Sequence, residues 1–592
     1  MSERTRLLIA GLILLLGVSP AAAAEEPPPK EVELTWGVKI PLRDGVQLNA
    51  TLYRPKGQSE PLPVVFTLTP YISDTYHNRG YYFAQNGYVF VLVDARGRGN
   101  SGGAFEPFAN EGRDGYDIVE WLAGQGWSNG KVTMWGGSYA GYDQWAALKE
   151  FPPHLATIVP VASAHAAVDF PFVNNVFYPY EMQWLTLTSG VTPNSNLFGE
   201  ASFWISKFRE LYVTHRPFRE LDQVVGNPSA VFQKWVQHPT PDAYWDAMSP
   251  SRTDYERIRV PILSITGHYD GDQRGALHYY HRHMQYGTPE AKAQHYLILG
   301  PWDHAGTRTP KRDVGGLRFG EASMLDMNKL HKEWYDWTLK GGPRPDFLKK
   351  RVAYYVVGPG AEEWKYADSL ETIATERRTL YLRSNGQASD AFHSGTLAAE
   401  KPGQEPPDPY TYDPLDTRYG LELEREDVEK PIIDQRGALN LFGGGVVYHS
   451  EPFAEATEIT GQPRLVVWIS LDVPDTDFSV TLYEIQPDGT SIALTDDIQR
   501  ARYRESLREE KLVPAGEILR YEFNSFQFFS RRVQKGSRLR LVLQSPNTIH
   551  LQKNYNSGKV VSEESGKDAR TAQVRVYHDT GHASFLELPI VK

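Results

Sequence analysis

KVTMWGGSYAGYDQWAAL, residues 131–148, joins a short apolar run to a turn of small residues and then to a stretch of helix-forming residues. The turn, Gly136-Gly137-Ser138-Tyr139-Ala140-Gly141, puts a serine between a predicted strand and a predicted helix. A turn this sharp is sterically crowded, so the residues two positions before and after the serine must be small, as Gly136 and Ala140 are. We therefore expect the Ser138 hydroxyl to stand above a sheet, beside the N-terminus of the following helix.

Runs similar to residues 131–135 recur along the first half of the chain and predict further buried strands. They are residues 63–69, 88–93, 155–161, 261–266 and 295–299. Residues 31–54 alternate around an Asp44-Gly45 turn, which is typical of a β-hairpin. Residues 116–123 place Ile118, Val119 and Leu122 on one face of a helix. Strands that alternate with helices predict a mostly parallel sheet covered on both faces.

Two changes of pattern divide the chain of 592 residues, a length that suggests about three domains. Between residues 167 and 249 the strands stop and aromatic residues dominate, which predicts a helical insertion in an α/β domain of residues 31–166 and 250–342. We expect most of these rings to be core, and some, such as Trp184, to line the cleft under the insertion. Residues 350–592 carry many short β-type runs and turn clusters, which indicate an all-β sandwich, most simply a jelly roll.

An acid and a histidine follow later predicted strands, at the positions expected for the catalytic partners of a serine nucleophile. Asp270 follows the run 261–266, and His304 follows the run 295–299. This order of serine, acid and histidine, each just beyond a strand, is that of α/β-hydrolases. His304 would accept the proton of Ser138, and Asp270 would hold the imidazole. Asp272 and Asp303 are alternatives for the acid.

The negative charge that develops on a substrate carbonyl oxygen needs fixed hydrogen-bond donors. The first expected donor is the backbone N–H of Tyr139, which follows the nucleophile. The second comes from the loop after the third strand, Thr69-Pro70-Tyr71, which has no His-Gly-Gly run. We therefore predict that the Tyr71 hydroxyl supplies it, although the ring could instead only pack in the cleft wall.

Several other functions are disfavoured by the sequence, and no cofactor or metal is expected. Gly97-Arg98-Gly99-Asn100-Ser101-Gly102 spells a dinucleotide fingerprint, but no helix-forming segment follows it and no acid stands at the ribose position. His278, His281 and His283 lack a zinc-binding pattern. The chain has no cysteine, which excludes disulfides and thiolate chemistry, and its net charge of −11 argues against a nucleic-acid partner.

The N-terminus has the form of a secretory signal. Arg4 and Arg6 precede an apolar core, residues 7–18, and small residues up to Ala24. This core is shorter than the roughly 20 residues that span a bilayer. We expect cleavage after Ala24, which predicts a periplasmic or secreted protein without a membrane anchor.

These motifs resemble the cocaine esterase-like family, also called CocE/NonD hydrolases. The turn at residues 136–141 resembles its G-x-S-Y-x-G motif, and residues 94–103 (DARGRGNSGG) resemble its D-x-R-G-x-G-x-S-x-G loop. Tyr269-Asp270-Gly271 and Gly300-Pro301-Trp302-Asp303-His304 are similar to its acid and histidine segments, and Asn554-Tyr555-Asn556-Ser557-Gly558 to its jelly roll. The resemblance implies an α/β-hydrolase fold with an inserted helical cap and a C-terminal jelly roll. It also implies an oxyanion hole formed by a tyrosine hydroxyl and the amide after the serine.

The resemblance further implies a carboxylate cluster that binds a substrate ammonium in some members. Asp272 and Gln273 occupy two of its positions, and Asp169 is a candidate for a third, so the cluster is weakened. We expect a serine hydrolase that cleaves small-molecule esters, including α-amino-acid esters or β-lactam side-chain amides. An X-Pro dipeptidyl-peptidase or a glutaryl-type acylase acting on amides is the alternative. A non-catalytic module, in which the jelly roll binds carbohydrate, is disfavoured by the intact order of the triad. A homo-oligomer is compatible with all of these.

Overall fold

The computed structural model describes residues 31–423 and 430–592. The predicted signal sequence, residues 1–24, lies outside them. Within these two ranges, no helix is both long enough and apolar enough to cross a membrane.

The first two thirds of the chain are built on one large sheet. Its region contains the strands β1 (Val32–Pro41), β2 (Gln47–Pro55), β3 (Leu62–Thr69), β4 (Val89–Asp94), β5 (Ser128–Gly137), β6 (Leu155–Val161), β7 (Phe172–Val173), β8 (Val176–Phe177), β9 (Ile262–Tyr269), β10 (His295–Asp303), β11 (Asp313–Val314), β12 (Leu317–Arg318), β13 (Val352–Val356) and β14 (Glu363–Ala367). Ten of them form the sheet, in the order β1-β2-β4-β3-β5-β6-β9-β10-β13-β14. The strands from β4 to β13 in this order pair in parallel, and β7–β8 and β11–β12 are separate hairpins.

Helices cover both faces of the sheet and form the insertion. They are α1 (His77–Gln85), α2 (Glu111–Ala123), α3 (Tyr139–Leu148), α4 (Tyr180–Leu187), α5 (Ser195–Phe198), α6 (Ala201–Thr214), α7 (Leu221–Val225), α8 (Ala230–Val236), α9 (Ala243–Asp246), α10 (Arg252–Arg257), α11 (Gln273–Tyr286), α12 (Pro289–Ala293) and α13 (Met327–Lys340). Apolar side chains of α2 and α3 pack on one face, and those of α1 and α13 on the other. Because both faces are covered, the central strands are apolar throughout, which is why their sequences read as continuous apolar runs.

The helices α4 to α9 form a cap over the carboxyl ends of the parallel strands. This segment also contains the β7–β8 hairpin, so residues 167–249 are mostly but not entirely helical. The cap aromatic rings pack in one cluster with Phe108, Tyr139 and Tyr142. The cap is therefore joined to the sheet at the N-terminal turn of α3, directly beside Ser138.

The C-terminal part is a jelly roll of β-strands with two short helices in its connections, which confirms the predicted fold class. Its elements are β15 (Glu376–Arg383), β16 (Gly395–Ala398), β17 (Asp408–Tyr412), α14 (Arg418–Leu423), α15 (Arg436–Leu439), β18 (Gly445–Ser450), β19 (Thr457–Gly461), β20 (Arg464–Leu471), β21 (Asp477–Ile485), β22 (Ser491–Arg500), β23 (Leu519–Phe523), β24 (Phe529–Val533), β25 (Arg538–Gln544), β26 (Ala572–Tyr577) and β27 (Phe585–Val591). Its strands pair almost throughout in antiparallel register around one apolar core.

The strand β13 differs from its predicted place. The sequence analysis counts it with the β domain that starts at residue 350, whereas it pairs in parallel with β10 in the large sheet. Only Val357, just past its end, bridges to Arg531 of β24. A buried parallel strand and a sandwich strand are both short apolar runs, so the sequence pattern did not reveal which sheet would take this one.

Candidate active site

Ser138 stands on a strained turn between β5 and α3. Its backbone has φ 62° and ψ −126°, in the left-handed region that non-glycine residues rarely occupy. The turn is held because the Ser138 N–H donates to the Val161 carbonyl at 3.0 Å. Small residues make it possible: a Cβ at Gly136 would lie 2.6 Å from the Ala140 Cβ. The same crowding that motivated the prediction from sequence is thus present in the structure.

His304 and Asp270 form a short hydrogen-bonded pair. His304 Nδ1 lies 2.7 Å from Asp270 Oδ1, and the Thr266 hydroxyl and the Asp272 N–H donate to the same carboxylate at 2.8 and 3.0 Å. Burial acts to raise the pKa of Asp270, but the charge and hydrogen bond of His304 outweigh it and lower that pKa. Asp270 therefore stays ionised, and with Nδ1 donating to it, Nε2 of His304 is left as the proton acceptor in the cavity that Ser138 also lines.

The two alternative acids are placed differently. Asp272 Oδ2 lies 3.8 Å from His304 Nδ1, beyond hydrogen-bonding distance. Asp303 accepts the Gly306 N–H at 2.7 Å and faces a different cavity, next to the jelly roll. Of the three, Asp270 has the geometry of the orienting acid.

A cavity of about 230 Å³ under the cap is lined by most of the predicted residues, and Asp270 lies behind its wall against His304. Its polar lining includes Ser138, His304 and Asp272. Its aromatic lining consists of Tyr71, Phe108, Tyr139, Phe170, Tyr180 and Trp184. The site is thus a compact aromatic pocket that also holds one serine, one histidine and one carboxylate.

Two hydrogen-bond donors stand beside the serine. Tyr139 is the first residue of α3, where a backbone N–H has no acceptor within the helix. The Tyr71 hydroxyl accepts the Trp184 indole N–H in the cavity that Ser138 also lines, and burial raises the pKa of Tyr71. Tyr71 therefore remains protonated at neutral pH and can donate.

Asp169 and Gln273 lie outside the cavity lining. The Asp169 carboxylate accepts the backbone N–H groups of His165 and Gly275, so it braces the start of α11 from behind the pocket wall. The Gln273 side chain is fully buried and bonds Phe528 of the jelly roll. Of the carboxylate-cluster positions, only Asp272 faces the substrate space.

Glu111, which the sequence analysis did not single out, contacts the side chain of Tyr139, the residue after Ser138. The Tyr139 hydroxyl donates to Glu111 Oε1 at 2.5 Å and accepts the Phe108 N–H at 2.6 Å. Burial raises the pKa of Glu111 to about 7, although the Tyr139 hydrogen bond opposes this. No local pattern around residue 111 indicates this role, because the contact depends on how α2 packs against α3.

The glycine loop at residues 97–102 has a structural role. A Cβ at Gly97, where φ is +70°, would lie 2.3 Å from the Phe105 nitrogen. Arg98 is fully buried, and its guanidinium donates to the carbonyls of Pro70 and Thr188, both at 2.8 Å. The loop therefore ties the Tyr71 segment to the end of α4.

The three histidines of α11 are not grouped as metal ligands. His283 is buried and lies against His295, with 2.8 Å between their Nδ1 atoms. Across residues 31–423 and 430–592, no group of three or more His, Cys, Asp or Glu side chains could hold a metal ion.

A sheet of this topology, with a serine at the strand–helix turn and a His–Asp pair beside it, defines a serine hydrolase of the α/β-hydrolase class. Family models match residues 44–306 as X-Pro dipeptidyl-peptidase (S15 family) and residues 347–587 as X-Pro dipeptidyl-peptidase C-terminal non-catalytic domain. Cocaine esterase of Rhodococcus sp. (strain MB1 Bresler) is 28% identical over 94% of this chain and 98% of its own. The chain belongs to the cocaine esterase-like (CocE/NonD) family of serine hydrolases, and it is an esterase of that family.

Solved structures agree with the fold. An α-amino acid ester hydrolase superposes with a TM-score of 0.82 at 22% identity and covers 97% of this chain and 100% of its own. An aminopeptidase from a marine sediment Thaumarchaeota archaeon has a TM-score of 0.78 at 23% identity, with 97% and 99% covered. At these identities the agreement concerns the architecture alone.

Proposed function

We propose that this esterase cleaves carboxylic esters through a triad of Ser138, His304 and Asp270 and an acyl-enzyme intermediate. The observation that carries the proposal is the 2.7 Å contact between Asp270 and His304, whose imidazole lines the same cavity as Ser138. The pair gives the imidazole a fixed tautomer, and the strained turn exposes the serine hydroxyl to it.

The reaction would proceed in two transfers. His304 Nε2 takes the Ser138 proton as the Oγ attacks the ester carbonyl, and it returns that proton to the departing alcohol. Water, deprotonated by the same nitrogen, then attacks the acyl carbonyl, and the imidazolium returns the proton to Ser138 Oγ as the acid leaves. In both steps the oxyanion would lie between the Tyr139 N–H and the Tyr71 hydroxyl, and Asp270 would stabilise the imidazolium.

We propose that the acyl group of the substrate is compact and apolar, and that an aromatic acyl group fits the pocket best. Six aromatic side chains line a volume of about 230 Å³, and rings pack favourably against one another in offset or edge-on arrangements. A long acyl chain would not fit this volume without movement of the cap.

An α-amino acyl group is the second candidate, and Asp272 favours it. This carboxylate faces the cavity, and burial raises its pKa to about 6, so that most of it is ionised at neutral pH. It could pair with the ammonium of an α-amino acyl ester. It could equally pair with the α-amino group on the side chain of a β-lactam amide.

The decisive experiment replaces the nucleophile. Ser138→Ala should lower turnover of a nitrophenyl ester by at least ~10³-fold and abolish labelling by a fluorophosphonate probe. Ser206→Ala, on the exposed face of α6, is the matched control and should keep both. Wild-type turnover by the Ser138 variant would refute the mechanism.

A substrate panel separates the alternatives. Purified protein is compared on acetyl, benzoyl, α-amino acyl and glutaryl esters and on a Gly-Pro amide. Preference for the benzoyl ester supports the apolar acyl group. Preference for the α-amino acyl ester, lost in Asp272→Asn, supports the second candidate. Faster cleavage of the Gly-Pro amide than of any ester would identify a dipeptidyl-peptidase instead. Preference for the glutaryl substrate would identify an acylase.

We also propose that the enzyme acts outside the cytoplasm, on the basis of the signal-like residues 1–24. Expression of the full chain should yield periplasmic or secreted protein that begins at Glu25. Cytoplasmic protein that retains Met1 would contradict this.

A further inference from the structure

Trp184, on the cap helix α4, contacts both groups proposed to hold the oxyanion. Its indole N–H donates to the Tyr71 hydroxyl at 2.8 Å. Its ring stacks on the ring of Tyr139, with 5.3 Å between centroids and 25° between planes. One buried side chain of the cap therefore touches the hydroxyl donor and the residue whose backbone supplies the amide donor.

The hydrogen bond from Trp184 fixes the direction of the Tyr71 proton. An indole N–H can only donate, so the Tyr71 oxygen must be the acceptor. A phenol has a single proton, and it cannot point back along a bond in which its oxygen accepts. Tyr71 and Ser138 line the same cavity, so the proton is left to point away from Trp184, towards the serine side of the pocket.

We propose that Trp184 is a positioning residue that aims the Tyr71 hydroxyl proton at the site of the oxyanion. The inference rests on the proposed function and deepens it, because it makes the inserted cap part of the oxyanion hole. Without the indole N–H, the Tyr71 hydroxyl could rotate and donate its hydrogen bond to another acceptor. Another apolar side chain could replace the packing of the Trp184 ring, but only the indole N–H makes the hydrogen bond to Tyr71.

The surroundings keep the pair in register. Arg98 bonds Pro70, next to Tyr71, and Thr188, which ends the helix of Trp184, so a single guanidinium joins the two segments. The Tyr139 ring is held on its other side by Glu111 and the Phe108 N–H. Both ends of the Trp184 contact are thus anchored, as a preorganised donor requires.

The test is Trp184→Phe, which keeps an aromatic ring against Tyr139 and removes the N–H. We expect kcat for a small acetyl ester to fall about tenfold, the effect of one lost hydrogen bond, with little change in KM. The matched control is Trp204→Phe in the same cap: its buried indole donates to the Leu197 carbonyl, away from the cavity. This control should retain the wild-type kcat.

A double-mutant cycle distinguishes positioning from packing. Tyr71→Phe alone should lower kcat about a hundredfold. Added to it, Trp184→Phe should change kcat less than about twofold, because the hydroxyl that the indole orients is already gone. A boronic acid that forms a tetrahedral adduct on the serine should bind about tenfold more weakly to Trp184→Phe. Rates are taken per fluorophosphonate-labelled site, and Trp184→Met serves if the phenylalanine variant does not fold.

The outcomes are separable from the proposed function. An unchanged kcat in Trp184→Phe would overturn the inference. So would an equal loss of kcat when Trp184→Phe is made in the wild type and in Tyr71→Phe. Either result would still leave a serine esterase. Absence of any Ser138-dependent turnover would overturn the proposed function itself.

Discussion

At the scale of single residues, the electrostatics of His304 are governed by two carboxylates. Burial alone would lower the pKa of His304, but the charges of Asp272 and Asp270 and the hydrogen bond to Asp270 outweigh it and raise that pKa. Asp270 is needed to orient the ring, whereas Asp272 acts through space across 3.8 Å. The two contributions can therefore be separated by mutation.

Asp272→Asn should move the acidic limb of the pH profile to lower pH. His304 must be neutral to act as a base, so activity rises as pH passes the pKa of His304. Removing the Asp272 charge makes the imidazolium less stable and lowers this pKa, so the variant reaches its plateau at lower pH than the wild type. The measurement is kcat/KM against pH with a neutral acyl ester, which avoids any role of Asp272 in binding an ammonium.

Asp313→Asn is the control for the change in net charge, because this exposed carboxylate pairs with Arg318 and does not line the pocket of Ser138. Its profile should match that of the wild type. A shift to higher pH in Asp272→Asn would contradict the role assigned to Asp272.

The sequence was sufficient for those site residues whose positions follow from strand ends. Ser138, Asp270, His304 and Tyr71 each come directly after or close to a strand of one parallel sheet, and such ends meet at one edge. Asp169 was predicted by resemblance, and the structure turns its carboxylate to two backbone N–H groups instead. Glu111 could not be predicted, because it reaches Tyr139 only through the packing of two helices.

At the scale of elements, the seating of α3 on the sheet sets the position of the nucleophile and of the Tyr139 amide. The helix approaches β6 closely at Gly141, where a Cβ would lie 2.6 Å from the Val161 oxygen and 2.7 Å from the Ser163 hydroxyl oxygen. The backbone oxygen belongs to the same residue that accepts the Ser138 N–H. A side chain at residue 141 would therefore lift the helix from the turn that it fixes.

Gly141→Ala should reduce both stability and turnover. Overpacking of this kind costs about 1–3 kcal/mol, and a displaced helix start misplaces the amide donor. Thermal unfolding and kcat on a nitrophenyl ester measure the two effects. Gly126→Ala is the matched control, because a Cβ there meets nothing within 4 Å. Equal behaviour of the two variants would show that α3 tolerates the shift.

The elements also show where periodicity is informative. The six predicted strands of the parallel sheet are present, because strands buried on both faces are continuous apolar runs. The strand β13 was assigned to the sandwich, since its pattern carries no information on its partner. The short β7–β8 hairpin of the cap was missed, because two-residue strands leave no period to detect.

At the scale of the whole molecule, the jelly roll holds the loop that carries the catalytic acid candidates. Gln273, just beyond Asp272, donates to the Gly267 and Phe528 carbonyls at 2.9 and 2.8 Å and accepts the Phe528 N–H at 2.7 Å. Gln527 donates to the Asp270 carbonyl at 3.2 Å. The β domain thus determines where Asp270 stands, and this explains why an amide is present at residue 273.

Gln273→Glu should uncouple the two domains. A carboxylate there would face two carbonyl oxygens in a fully buried position, which leaves buried acceptors unpaired at a cost of about 1–3 kcal/mol. Burial and the two facing carbonyl oxygens outweigh the single Phe528 N–H donor and raise the pKa of the new glutamate above its unfolded value, so its protonated form is tolerated at low pH and the deficit grows as pH rises. The unfolding temperature should therefore fall more at pH 8 than at pH 5, and kcat should fall with it as Asp270 loses its support.

Gln573→Glu, on the exposed surface of β26, makes the same change where the side-chain oxygen accepts the Thr411 hydroxyl, and it should leave both quantities unchanged. If Gln273→Glu matched that control at both pH values, the jelly roll would be a passive neighbour of the acid loop rather than the element that positions it.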